Sequence, residues 1–154
     1  MLNYLKEFFS NENTTNQQNT NERNHQLQIA ACSLLLEIAQ SDEDFSEVEK
    51  TRIYEIIKNE FKLSDEEVNS LILQSEKQIE KSVSVYEFTD ILNHNLSSDE
   101  KFLIIKYLWQ IAYADGNLDS YEEYYIKKVS NNLHLHNKDR VVAKLQVKQE
   151  LGIN

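Results

Sequence analysis

The sequence predicts an all-α protein: a compact domain of about seven helices that contains a duplicated helix–acidic turn–helix unit. Three observations carry this expectation. Proline is absent and only two glycines occur in 154 residues, so the usual punctuation of strands and tight turns is missing. Apolar residues recur at helical spacing throughout, and no stretch alternates apolar with polar. Serine or aspartate followed three positions later by glutamate occurs before several of these stripes, which is how a capping box reads in sequence.

The elements follow in order. Leu2, Leu5, Phe8 and Phe9 form a short amphipathic stripe over residues 1–10, too short to be stable alone. Residues 11–24 are polar without an apolar position and read as a flexible linker. The helical domain is expected over residues 25–154. Its first helix carries Leu27, Ala31, Leu34, Leu35 and Ile38 on one face. Ile53, Ile56, Ile57 and Phe61 mark the second, and Val68, Leu71, Ile72, Ser75 and Ile79 the third. A shorter fourth holds Val85, Phe88 and Leu92. The fifth holds Phe102, Ile105, Trp109 and Ala112, the sixth Ile126, Val129 and Leu133, and the last Val141, Val142 and Leu145. Start signals are Ser46/Glu49, Ser64/Glu67, Ser84/Glu87 and Ser97/Glu100, with Asp119/Glu122 as an aspartate version.

The duplication is visible without a gap. Ile38-Ala39-Gln40-Ser41-Asp42 lies over Ile111-Ala112-Tyr113-Ala114-Asp115, and Glu49 over Glu122. Leu35 matches Leu108 and Ile53 matches Ile126. One residue then drops out, and Phe61-Lys62-Leu63 lies over Leu133-His134-Leu135.

Composition narrows the function. The charge is 16 basic against 26 acidic, a net of −10. That field repels phosphate backbones, and with no basic stripe in the chain a nucleic-acid partner is not expected. It favours cations or a basic protein surface. No stretch is apolar enough to span a membrane, and the start does not read as a signal peptide, so a cytoplasmic location is expected. Cys32, the lone cysteine, reads as a small buried hydrophobe. No Ser/His/Asp or Cys/His arrangement, phosphate-cradling glycine loop or zinc spacing is present, so no enzyme is expected.

The run Ile111-Ala112-Tyr113-Ala114-Asp115-Gly116-Asn117-Leu118-Asp119, closed by Glu122, resembles the signature of the tellurite-resistance TerB family, with a degraded copy at Ile38–Glu49. The segments 85–93 and 108–116 resemble its short stand-alone bacterial members, and the likeness covers residues 25–148. The resemblance implies a compact all-α domain linked to bacterial stress response and tellurite resistance. It attaches no enzymatic activity, and it implies a divalent cation at the acidic corners. A related co-chaperone carries a J domain with a His-Pro-Asp tripeptide, which a chain without proline cannot supply.

The residues themselves leave two readings of the corners open. Clustered carboxylates suit Ca²⁺, Mg²⁺ or Mn²⁺. Asp115, Asp119 and Glu122 would be the main ligands, with Asp42, Asp44 and Glu49 as the weaker copy. Neither corner is an EF-hand: Ser120 and Ile126 stand where glycine and the bidentate glutamate are required, as do Glu47 and Ile53 in the first. The other reading is capping, since acids in a first helical turn are stabilised by the helix dipole. Asp42 and Asp115 fit capping less well, because they follow the end of a helix. Tyr121, Tyr124 and Tyr125 crowd the second corner, and exposed aromatics there would mark a protein-docking face. A metal-independent interaction module with an acidic face is thus the alternative to the cation site.

Overall fold

A computed structural model describes residues 18–40, 47–114, 116 and 118–153. Among them are seven helices and no strand: α1 (Gln18–Gln40), α2 (Glu47–Glu60), α3 (Asp65–Lys81), α4 (Tyr86–Asn93), α5 (Ser98–Ala112), α6 (Ser120–Asn132) and α7 (Asn137–Leu151). The amphipathic stripe expected over residues 1–10 lies outside the described residues.

Two helices make the centre. In α1, Leu27, Ala31, Leu34, Leu35, Ile38 and Ala39 are wholly buried. In α5, an unbroken run from Leu103 to Ile105 and another from Tyr107 to Trp109 are buried. A helix buried on most of its circumference must be packed on several sides, and both are. α1 packs against α2, α3, α4, α5 and α6, while α5 packs against α1, α2, α6 and α7. Trp109, expected in the core, is 0% exposed, as is Cys32.

Helix starts obey the capping signals where those are described. Ser64 accepts from the Glu67 amide at 3.2 Å, and Glu67 accepts from the Ser64 amide at 2.9 Å. Ser97 and Glu100 do the same at 3.2 and 2.8 Å. Ser84 departs from the expectation. α4 begins at Tyr86, its cap residue Val85 is already helical in conformation, and no side chain caps it. Ser84 instead accepts from the Tyr86 amide at 3.3 Å, and Glu87 reaches the Val83 amide. Burial of Val85 and Phe88 sets this start one residue late. α1 also differs, since it begins at Gln18, inside the segment read as linker. Tertiary contact supports its early turns: Asn24 is buried, and His25 Nε2 lies 2.6 Å from Gln74 Oε1.

The duplicated unit proves to be three helices long. α2 and α6 end alike. Leu63 N–H donates to Lys58 O at 3.1 Å, and Leu135 N–H to Ser130 O at 3.1 Å. Both are the long bond of a Schellman cap. The residue between, Lys62 or His134, takes the left-handed conformation with φ 55° or 62°, the two positive-φ non-glycine residues described. Ser64 and His136 then cap α3 and α7 at matching places. Leu71 and Ser75 face the core where Ala143 and Val147 do in the second copy. Packing follows suit. α1 against α3 corresponds to α5 against α7, and α2 against α5 corresponds to α6 against α1, as a two-fold exchange of halves requires. α4 alone has no twin.

Left-handed backbone costs a residue with a side chain about 1–2 kcal/mol, which glycine avoids at some entropic cost. His134 is exposed, so His134→Gly is expected to stabilise the fold by about 0.5–1 kcal/mol, read as a higher urea midpoint at unchanged slope.

Candidate functional site

The acidic corners connect α1 to α2 and α5 to α6. Asp42, Asp44 and Asp115 lie outside the described residues. Glu49, Asp119 and Glu122 are described, and each sits at a helix start. Asp119 caps α6: its Oδ1 accepts from the Tyr121 amide at 2.9 Å. Glu122 Oε1 accepts from the Asp119 amide at 3.2 Å, closing the box. Glu49 occupies the equivalent place in α2, and both glutamates are only 2% exposed. Gly116 takes φ 86° at the turn, with its amide donating to Tyr113 O at 2.9 Å. An added side chain would meet no atom there, so backbone conformation rather than space calls for glycine.

These contacts bear on the implied cation. Asp119 and Glu122 each commit one oxygen to a backbone amide. Among the described residues no group of three or more His, Cys, Asp or Glu side chains is placed to hold a metal ion. Asp119 and Glu122 therefore serve as the cap of α6.

A second feature stands on α6. Tyr121 and Tyr124 are 48% and 63% exposed and share one outward face, being three positions apart on a helix. Tyr124 lies between two clefts. One, of about 290 Å³, is lined by all three tyrosines with Glu37, Val85 and Lys128. The other, of about 510 Å³, is lined by Tyr124 with Leu118, Ser120, Glu123, Lys127 and Arg140. Tyr125 turns inward. Its hydroxyl donates to Leu34 O at 2.9 Å and lies 3.5 Å from Glu37 Oε2. Burial pushes the Tyr125 phenol well above its ordinary value, and the neighbouring Glu37 charge pushes the same way. Burial also raises Glu37, opposed by the Tyr125 hydroxyl and by the Lys128 charge.

Glu37 is absent from the sequence-derived candidates. The one signal is that it is the only charged residue between His25 and Gln40. Tyr125→Phe would remove the hydroxyl bond to the Leu34 carbonyl, which keeps its helical N–H partner within α1. A loss of about 0.5–1.5 kcal/mol in urea unfolding is expected, the net worth of one hydrogen bond.

Fold and site together define an all-helical, internally duplicated domain whose second acidic inter-helix corner is closed by the reciprocal cap of Asp119 and Glu122. The family model of tellurite resistance protein TerB matches residues 28–145, and the chain belongs to the TerB family. No curated protein and no solved structure matches it. Among the described residues no helix is long and apolar enough to cross a membrane.

Proposed function

We propose that the chain is a non-enzymatic docking module of the TerB family, serving a cytoplasmic stress-response or tellurite-resistance role by holding a basic protein partner. The observation that carries this is the exposed pair Tyr121 and Tyr124 on α6, between two clefts that both hold charged residues. Tyrosine is enriched at protein interfaces because it offers a large apolar ring with a polar tip. The net charge of −10 favours a basic partner and speeds its approach.

The test is crosslinking in cells from a photoreactive residue placed at position 124, with position 73 on α3 as control. A discrete adduct from 124 and none from 73, unaffected by chelator and weakened by high salt, is expected, because exposed charges are screened. An adduct that vanishes with chelator, or none at all, would sink the docking reading.

A divalent cation is the second reading, favoured by the matched burial of Glu49 and Glu122. Thermal unfolding with Ca²⁺, Mg²⁺ or Mn²⁺ against excess chelator decides it. An ion at about 100 times its dissociation constant adds roughly 2.7 kcal/mol, or roughly 5–10 °C for a domain of this size, and Asp115→Asn should abolish that rise. The docking reading expects no shift with any of the three.

A further inference from the structure

We propose that the 290 Å³ cleft beneath Tyr121 and Tyr124 receives an arginine side chain of the basic partner, with the guanidinium on the Glu37 carboxylate and against the tyrosine rings. The cleft draws on α1 for Glu37, on Ile79 of α3 and Val85 before α4, and on α6 for the tyrosines and Lys128. Pockets for drug-sized ligands begin near about 300 Å³, so this one suits a single long side chain.

Glu37 is the element that needs explanation. Among the described residues its carboxylate takes one hydrogen bond, the 3.5 Å approach of the Tyr125 hydroxyl. That hydroxyl already has a better acceptor in Leu34 O at 2.9 Å, so Glu37 is not required to satisfy it. Among the described residues no cation makes an ion pair with Glu37; Lys128 acts on it only through its field. A half-buried carboxylate facing a cleft, hydrogen-bonded once and weakly, gains from an incoming cation what burial took from it.

The aromatic walls choose among cations. A cation over a tyrosine face is attracted by the ring quadrupole, and more so when partly desolvated. Guanidinium can stack flat on a ring and fork a carboxylate with two parallel N–H groups, whereas an ammonium is a compact, strongly hydrated point charge. Lys128 at the wall opposes any cation, and its long stem lets it swing toward solvent.

This inference rests on the docking reading, and it is tested separately. N-acetyl-arginine amide and its uncharged citrulline isostere are titrated into the isotope-labelled full chain, following amide and tyrosine ring resonances. Saturable shifts around Glu37 and the α6 tyrosines are expected with arginine and not with citrulline. Binding should weaken at least about tenfold in Glu37→Gln, the loss of a hydrogen bond to a charged group. It should weaken in Tyr124→Ala and tighten in Lys128→Ala. Tyr124 and Lys128 are exposed, so both of those variants should fold, as unchanged resonances away from the cleft would show. Equal binding of citrulline, equal binding by Glu37→Gln, or no saturable shift in the cleft overturns the inference. Loss of arginine binding with the position-124 crosslink intact removes this inference alone. Loss of the crosslink with arginine binding intact removes the docking reading and with it the assignment of the arginine to a partner, and leaves only an arginine-selective cleft.

Discussion

Trp109→Ala should lower the free energy of unfolding by about 3–5 kcal/mol, the cost of emptying a fully buried aromatic site. Burial and three contacts explain the size. The ring is wholly buried and lies 6.0 Å from Tyr113 in a stacked arrangement. Its Nε1–H donates to Arg140 O at 3.2 Å, and Lys144 Nζ sits 5.3 Å from its centroid. Arg140 and Lys144 belong to α7, so one side chain of α5 fastens the last helix to the centre. Domains of this kind hold about 5–15 kcal/mol in all, so the variant is expected to be near its threshold at room temperature. Trp109→Phe keeps most of the volume and loses the Nε1–H bond to the Arg140 carbonyl, which keeps its helical partner, so about 0.5–1.5 kcal/mol is expected. Urea unfolding of both variants decides; a cost below about 1 kcal/mol for Trp109→Ala would show that α7 is held elsewhere.

Stability should fall steeply on the alkaline side. Cys32 is raised from 9.0 to about 12, chiefly by burial, with the Ser75 hydrogen bond opposing and the Glu76 charge adding. Burial, with the Glu60 charge beside it, pushes the Tyr107 phenol far up, and Tyr125 is raised by burial and by Glu37. All three are neutral when protonated, and each folded value lies above its unfolded one. Their contribution is therefore fully present below the unfolded value and is lost as pH rises toward the folded one. For Cys32 that window runs from 9.0 to about 12, and for the two tyrosines it opens above 10.0. Each group removes about 1.4 kcal/mol per pH unit inside its window. With all three titrating, a slope of roughly 4 kcal/mol per unit is expected. Urea midpoints measured from about pH 8 to about pH 11 test this, and a flat profile would refute the burial of these groups. Tyr107→Phe should reduce the slope by one proton's worth.

How legible all this was depends on how local each cause is. Ser64, Ser97 and Asp119 announced their helices because a cap and its partner lie three residues apart and need nothing else. Ser84 announced one too, but burial of Val85 and Phe88 moved the start. The early turns of α1 were invisible because Asn and Thr are weak helix formers, and His25, just after them, is tied down by Gln74, far along the chain. The duplication was readable to Leu135 and then faded, although the fold continues it through α3 and α7. Leu71 pairs with Ala143 and Ser75 with Val147, and only burial is shared. The corner acids Asp119 and Glu122 were found by spacing, and the bonds that make them the cap of α6 needed coordinates. Glu37 was missed because its cleft is assembled from separate helices.

The two-fold exchange of halves has a consequence for what the surface can specialise in. When two identical chains pair, every substitution is made twice, and a change that builds a binding face on one subunit is imposed on the other. Here the copies are joined in one chain, and each position is free to differ from its twin. Tyr125, which closes the floor of the cleft, has Arg52 as its counterpart, and Arg52 lies 3.9 Å from Glu55 on the surface. One half keeps the scaffold while the other carries an aromatic face. The molecule is symmetric in its packing and one-sided in what it presents.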